Sequence, residues 1–318
     1  MANSLQLNDR AKRLADHLAA IAGQLRIEVS TLPGGTRILD CGLKAEGGLQ
    51  AGVALARVCL ANLAEVTLTT GEVAGVSCPL VHVATDWPVA ACMASQYAGW
   101  QIAVGKFFAM GSGPMRAASG REELFDKIGH REEATVAVGV LETRKPPDED
   151  VVKHICEKAR VAADQVTLLI APAASQAGTL QVVARSVETA LHKLLEVGFD
   201  LSQVVSAFGS APLPPVAADE IQAIGRTNDA ILYGGRVTLW VRSDDALLAE
   251  VGPKVPSCAS KDHGAPFAAI FERYNRDFYK IDPGLFSPAE IALCNLKTGE
   301  THRFGRIAPD VLQRSFFG

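Results

Sequence analysis

Apolar residues recur at helical spacing in some segments of the chain and at strand spacing in others. Residues 8–22 repeat apolar positions at helical spacing after an Asn/Asp start, which predicts an amphipathic opening helix. Residues 28–41 predict two strands joined by a turn at Pro33-Gly34-Gly35. A small-residue helix over 47–64 and a β-branched strand over 66–70 follow. This alternation indicates an α/β fold.

The second half of the chain repeats the alternation and adds hairpins. Helices are predicted over 149–159 and 179–197, with a strand over 165–171 between them. Short strands are predicted on both sides of Gly234-Gly235 and of the turn at 297–300. Because hairpins pair strands antiparallel, we expect mixed sheets, that is, an α/β class with α+β character.

One polar segment separates the two halves. Residues 143–150 combine two prolines with five charged residues, as exposed connections between domains commonly do. The chain of 318 residues is also about twice the usual size of one domain. We therefore predict an N-terminal α/β domain over 1–145 and a C-terminal α/β domain over 146–318.

Composition and charge narrow the range of partners. The formal net charge of −4 leaves no basic surface for a phosphate backbone, so nucleic acid is not expected to bind. No apolar run approaches the roughly 18 residues of a membrane span, and no secretory leader pattern opens the chain. We expect no membrane partner and a cytoplasmic location. The seven widely spaced cysteines contain no C-x-x-C pair, which favours free thiols.

Two local patterns are weak candidates for ligand sites. The loop with Gly111, Gly113 and Arg116 lacks the third glycine of a dinucleotide fingerprint, so a structural turn that lines a pocket is the better interpretation. The series Cys78, His82, Asp86 has metal-ligand spacing only on a helix, which the intervening proline and β-branched residues disfavour. We predict no metal and no nucleotide cofactor.

The predicted helix over 179–197 carries a polar stripe opposite an apolar one. Gln181, Arg185, Glu188 and His192 follow one another at steps of four, three and four residues. In one interpretation the stripe is a solvated surface with a weak ion pair. In the other it faces a cleft, where Arg185 would keep the Glu188 carboxylate ionised as a general base. The spacing alone leaves both open.

Five separate segments together resemble the methenyltetrahydromethanopterin cyclohydrolase family. The similarity extends from about Ala51 to the end of the chain. The segments are residues 94–100 (ASQYAGW), 108–114 (FAMGSGP), 184–190 (ARSVETA), 227–235 (TNDAILYGG) and 278–289 (FYKIDPGLFSPA).

The resemblance implies an enzyme of one-carbon metabolism. It implies a hydrolase that reversibly opens the N5,N10-methenyl bridge, a cyclic amidine, to give 5-formyltetrahydromethanopterin, in formaldehyde oxidation or methanogenesis. It further implies two α/β domains around a pocket between them, a homotrimer, a pterin substrate, and no metal or prosthetic group. By the same resemblance Arg185 and Glu188 are the catalytic residues. The Lys261-Asp262-His263 loop is the second choice for the base.

Neutral hydrogen-bonding residues in or beside the matching segments are candidates for pterin recognition, namely Ser95, Gln96 and Gln181.

Two other functions stay open. A folate-type methenyl cyclohydrolase is disfavoured because those enzymes commonly carry a dinucleotide-binding domain, whose fingerprint is absent here. A non-catalytic tetrahydropterin-binding protein is disfavoured because the arginine and the glutamate are both retained.

Overall fold

The computed structural model describes residues 5–277 and 280–318. Its helices and strands follow in chain order. The α-helices are α1 (Leu7–Ala20), α2 (Ala22–Leu25), α3 (Leu49–Cys59), α4 (Met115–Ser119), α5 (Leu124–Ile128), α6 (Glu149–Ala159), α7 (Gln176–Val183), α8 (Ser186–Glu196), α9 (Glu220–Leu232), α10 (Asp245–Val251), α11 (Phe267–Arg273) and α12 (Pro309–Phe317). The strands are β1 (Glu28–Thr31), β2 (Arg37–Asp40), β3 (Glu65–Thr69), β4 (Glu72–Val73), β5 (Val76–Ser77), β6 (Leu80–Thr85), β7 (Trp100–Val104), β8 (Phe107–Ser112), β9 (Ala137–Glu142), β10 (Val166–Ala171), β11 (Val204–Pro212), β12 (Arg236–Val241), β13 (Glu290–Asn295) and β14 (Thr301–Gly305). A π-helix spans Val89–Gln96.

The first compact unit consists of the described residues up to Ala64 together with Ala90–Gln181. Its six-stranded sheet has the order β1-β2-β10-β9-β8-β7, with β10 parallel to both β2 and β9 and the outer strands antiparallel. All six residues of β10 are buried. Leu169 packs in the cluster that contains residues of α1 and α3, and Leu168 packs in the cluster that contains residues of α6. Both faces of this sheet are therefore covered.

The second compact unit consists of Glu65–Val89 and Val182–Gly318. Its six-stranded sheet has the order β14-β13-β12-β11-β6-β3, in which β12 and β13 pair parallel and the other neighbours pair antiparallel. Helices α8 and α9 both contact β11. Two mixed sheets with helices confirm the predicted α/β class, while the pocket predicted between the domains stays a prediction.

The compact units are discontinuous in sequence and differ from the linear division at 145/146. Residues 146–181 belong to the first unit because β10 completes its parallel core between β2 and β9. Residues 65–89 belong to the second because β6 pairs with β11, more than a hundred residues later. Long-range strand pairing of this kind leaves no compositional signal in the sequence.

Most of the predicted elements are confirmed, and one predicted strand is wrong. The hairpin around 297–300 joins β13 to β14. The strand expected before Gly234-Gly235 is instead the end of α9, since Ile231 and Leu232 are helical and the Gly235 amide donates to the Ile231 carbonyl at 2.9 Å. Its residues are apolar because this end of the helix is buried. Residues 278–279, which open the matching segment 278–289, lie outside the described residues.

None of the helices in the described part of the chain is long and apolar enough to cross a membrane.

A buried carboxyl group connects three helices of the second unit. Asp229 on α9 is fully buried. Its Oδ1 accepts a hydrogen bond from the Phe267 amide at the start of α11 at 2.8 Å, and its Oδ2 accepts one from the Ser315 hydroxyl on α12 at 2.6 Å. Burial outweighs these hydrogen bonds and raises the pKa of Asp229 to about 7.

We expect Asp229 to make folding stability depend on pH. Below the ordinary pKa of 3.8 the carboxyl is protonated in both states. As the pH rises from there to about 7, the unfolded chain loses this proton first, so the free energy of unfolding falls and then levels off. Asp229→Asn should remove this fall, since its amide oxygen can still accept from the Phe267 amide. Urea unfolding between pH 4.5 and 8 measures the difference.

The control is Asp219→Asn, which changes an exposed capping carboxylate at the start of the same helix. That variant should keep the pH dependence of the unmodified protein. An unchanged pH dependence in Asp229→Asn would contradict the account.

Candidate active site

The helix predicted over 179–197 is broken between its two halves. Helix α7 ends at Val183 and α8 begins at Ser186. Arg185 occupies the N-cap position of α8, with its amide bonded to the Val182 carbonyl at 3.1 Å and its own carbonyl bonded to the Thr189 amide at 3.0 Å. The single polar stripe from Gln181 to His192 is therefore wrong as predicted, because its first member lies on another helix.

The remaining core of the stripe is a buried ion pair. The side chains of Arg185 and Glu188 are 6% and 7% exposed, and Arg185 Nη1 lies 3.9 Å from Glu188 Oε2. This distance exceeds a normal hydrogen bond, so the contact is one of charge attraction. The solvated-surface interpretation of this pair is wrong. A charged pair removed from water is costly unless its surroundings compensate for the burial, and such groups cluster at functional sites.

The first turn of α8 supplies part of that compensation. Glu188 is the third residue of the helix, where the partial positive charge of the helix N-terminus stabilises a carboxylate. Val187, Leu191 and Leu194 of the same helix are apolar and fully buried. The helix contacts β11 and β12. The apolar side thus anchors the helix to the sheet and sets the position of the Arg185–Glu188 pair.

Ser95 and Gln96 end the π-helix of the first unit, and both are fully buried. The Ser95 hydroxyl donates to the Cys59 carbonyl at 2.6 Å, and the Ser95 carbonyl accepts from the Gly113 amide at 2.9 Å. These bonds give Ser95 a structural part in shaping the segment. π-Helical turns occur frequently at functional sites, which keeps this segment a candidate for substrate binding.

Arg116 braces the same segment from inside the fold. Its guanidinium is fully buried, pairs with both carboxylate oxygens of Glu122 and donates to the Met93 carbonyl at 3.1 Å. The ring centroids of Tyr97 and Phe125 lie 5.0 and 5.3 Å from its guanidinium carbon, within the range of cation–π contacts. Arg116 therefore supports a structural turn. Arg116 and Glu122 are six residues apart, whereas neighbouring side chains on a helix are three or four residues apart, so sequence reasoning missed this pair.

Gln181, the last residue of the first unit, is 1% exposed. Its Nε2 donates to Glu142 Oε1 at 3.1 Å, at the end of β9. Amide and carboxylate groups at a strand end are suitable for recognising polar edges of a heterocycle. The substrate-binding roles of Ser95, Gln96 and Gln181 stay predictions.

In the Lys261-Asp262-His263 loop, the Asp262 and His263 side chains contact other residues of the fold. Asp262 is 6% exposed and accepts from the Tyr274 hydroxyl and from the Asp282 amide, both at 2.9 Å. The His263 Nδ1 lies 3.4 Å from the Ser257 hydroxyl, and burial is the largest influence lowering the pKa of His263. These contacts favour Glu188 over this loop as the base.

The series Cys78, His82, Asp86 lies along and beside strand β6 and not on a helix. Cys78 precedes β6, His82 lies in it and Asp86 follows it, so the three residues do not share a helix face. Within the described ranges, no three His, Cys, Asp or Glu side chains are grouped so that they could hold a metal ion. The three side chains have separate partners: the Leu213 carbonyl for Cys78, Thr69 for His82 and Ser206 for Asp86.

Comparison with known proteins gives matches along nearly the whole chain. The family model described as Cyclohydrolase (MCH) matches residues 6–316. Three curated relatives are each named methenyltetrahydromethanopterin cyclohydrolase. The relative from Methylobacterium sp. (strain 4-46) is 47% identical over 98% of this chain and 97% of its own length. That from Rhodopirellula baltica is 49% identical over 89% and 86%, and that from Methanosarcina barkeri 43% over 98% and 98%.

Proposed function

Because the chain belongs to the cyclohydrolase (MCH) family, we propose that it catalyses the reversible hydrolysis of the N5,N10-methenyl bridge of methenyltetrahydromethanopterin to the N5-formyl compound. The observation that carries the chemical part of this proposal is the buried pair of Arg185 and Glu188 at the start of α8. The guanidinium favours the ionised form of the carboxylate. An ionised carboxylate can accept a proton, as a general base must.

The substrate itself makes the first step easy. Its methenyl carbon lies between two nitrogens in a cation of amidinium type and is already electrophilic. Hydrolysis then requires a positioned water molecule and a proton acceptor rather than a strong electrophile. Glu188 accepts a proton from the water as its oxygen bonds to the methenyl carbon, which gives a neutral tetrahedral adduct. The negative charge of Glu188 also complements the cationic substrate.

The second step breaks the bond between the former methenyl carbon and N10. Glu188, now a carboxylic acid, returns its proton to N10, and the hydroxyl proton of the adduct is released as the formyl C=O forms. The overall reaction consumes one water and releases one proton. Arg185 stabilises the carboxylate form of Glu188 and can donate a hydrogen bond to the adduct oxygen. Both groups stand on the first turn of one helix, so their spacing is fixed by the backbone.

Assay of the purified protein tests the proposal directly. We expect the methenyl chromophore to disappear when the protein meets methenyltetrahydromethanopterin, and to disappear far more slowly with methenyltetrahydrofolate. Preference for the folate substrate would favour the folate-type alternative. Binding of the pterin with no turnover would favour a non-catalytic carrier. The cytoplasmic location stays a prediction.

Glu188→Gln should remove the proton acceptor while keeping the shape of the side chain. We expect kcat to fall by about 100- to 10,000-fold, the usual contribution of general-base catalysis, and the affinity for the cationic substrate to fall far less. Stopped-flow absorbance gives the rate, and equilibrium titration gives the affinity. The control is Glu196→Gln, which alters a half-exposed carboxylate on the same helix and should leave kcat close to that of the unmodified enzyme. A Glu188→Gln enzyme of normal rate would contradict the assignment.

Arg185→Ala should also slow turnover, because the carboxylate loses the guanidinium beside it and the adduct loses a donor. We expect Arg185→Lys to retain more activity, since it keeps the charge but loses the planar fork. The double variant Arg185→Ala/Glu188→Gln should lose less activity than the product of the single losses. Multiplicative losses in kcat would show that the two residues act independently, contrary to the proposal.

We propose that catalysis needs no bound metal. The substrate carries its own positive charge, so a Lewis acid has little to add. Activity should therefore survive dialysis against a strong chelator, and the dialysed protein should contain far less than one metal ion per chain. Loss of activity that is restored by a specific divalent ion would contradict this proposal.

The family resemblance supports a homotrimer as the proposed assembly. Light scattering under native conditions should then give about three times the 33.6 kDa mass of one chain. A monomer at assay concentration would contradict the proposed assembly. The proposed reaction is tested separately, by the turnover assay.

A further inference from the structure

One glycine of the second unit lies directly beneath the first turn of α8. Gly209 is in the middle of β11, paired with Val237 of β12 on one side and Val83 of β6 on the other. A Cβ atom added there would meet Ser186 Oγ first, and then Val187 Cγ2 at 2.8 Å. Real Cβ contacts essentially never approach this closely. The backbone of Gly209 has no positive φ, so space rather than conformation makes this position restrictive.

The two residues that Gly209 accommodates stand between the members of the ion pair. Ser186 and Val187 follow Arg185 and precede Glu188 in the first turn of α8. Both are fully buried. The Ser186 hydroxyl has no hydrogen-bond partner in the described part of the chain. Packing against the strand, rather than a directed side-chain bond of Ser186, therefore sets how deeply this turn sits.

If this contact becomes crowded, we expect the first turn of α8 to move, because β11 is held in place by the sheet. β11 is bonded on both sides within a six-stranded sheet, whereas the N-terminal turn of α8 follows the break after α7. Interiors packed at native density transmit such displacements instead of absorbing them. An added methyl group at residue 209 would push Ser186 and Val187 away from the sheet and carry Arg185 and Glu188 with them.

We propose that Gly209 is a positioning residue for catalysis: the space it leaves on β11 sets the location of the Arg185–Glu188 pair. This inference rests on the proposed function, since it concerns the geometry of the proposed base. Gly209 touches the turn and not the substrate. Its influence is expected on the rate of the chemical step, because displacements of about 1 Å can cost roughly 100-fold in rate.

Gly209→Ala tests the inference against a matched variant. We expect kcat per folded enzyme to fall about 10- to 100-fold, with KM changed less than about twofold. The pH profile of kcat should shift as well, because the environment of the base changes. The control is Gly225→Ala, which also crowds a tight contact in this unit, at 3.0 Å from the Ala268 Cβ, but touches helix α11 instead of α8. Gly225→Ala should leave kcat and its pH profile as in the unmodified enzyme.

A compensating variant separates positioning from damage to the fold. In Gly209→Ala/Ser186→Ala/Val187→Ala the helix loses the two side-chain atoms nearest to the new methyl group. We expect this variant to recover most of the lost kcat. If Gly209→Ala alone does not fold, a folded triple variant with near-normal kcat supports the inference. A slow or unfolded triple variant contradicts it.

Failure of the inference is distinguishable from failure of the proposed function. An unmodified protein that does not hydrolyse methenyltetrahydromethanopterin would overturn the function, and the inference with it. An active unmodified protein in which Gly209→Ala and Gly225→Ala turn over equally fast would overturn the positioning role alone.

Discussion

Burial of two charged side chains is the main physical constraint on this structure, because removing charges from water costs free energy. Arg185 and Glu188 are more than nine-tenths buried, and their charges lie 3.9 Å apart. Burial of each charge alone would cost several kcal/mol, and mutual attraction only partly offsets that cost. The start of a helix beneath Glu188 and the guanidinium beside it reduce the cost further. Buried charged pairs with this unfavourable burial energy cluster at functional sites. We therefore assign the proposed function to this pair.

The backbone arrangement around the pair follows from this demand. The break between α7 and α8 releases Arg185 from a helix interior and begins a new helix whose third residue is Glu188. The apolar side of α8 then packs against the sheet, and Gly209 lets the first turn come close to β11. Position is thus set by steric contact and by the sheet. Charge stabilises a geometry that packing has already defined.

Much of this could be predicted from the sequence, and the limits have physical causes. Period-two and helical spacing predicted the α/β class and the hairpin before β14, because both depend on local pattern. The three-residue separation of Arg185 and Glu188 predicted their proximity for the same reason. The helix break left no signal, since neither glycine nor proline marks it. Burial of the pair, the Arg116–Glu122 contact and the pairing of β6 with β11 arise from long-range packing, which local spacing does not encode.

The pH dependence of the chemical step, measured in the unmodified enzyme and in Glu188→Gln, shows whether Glu188 is the base. Single-turnover rates should be measured by loss of the methenyl absorbance at saturating enzyme, so that product release does not intervene. We expect the unmodified enzyme to gain rate with rising pH until one carboxyl group is ionised, and Glu188→Gln to be slow and to lack this rise. A Glu188→Gln enzyme that shows the same rise at a comparable rate would contradict the claim that Glu188 is the base.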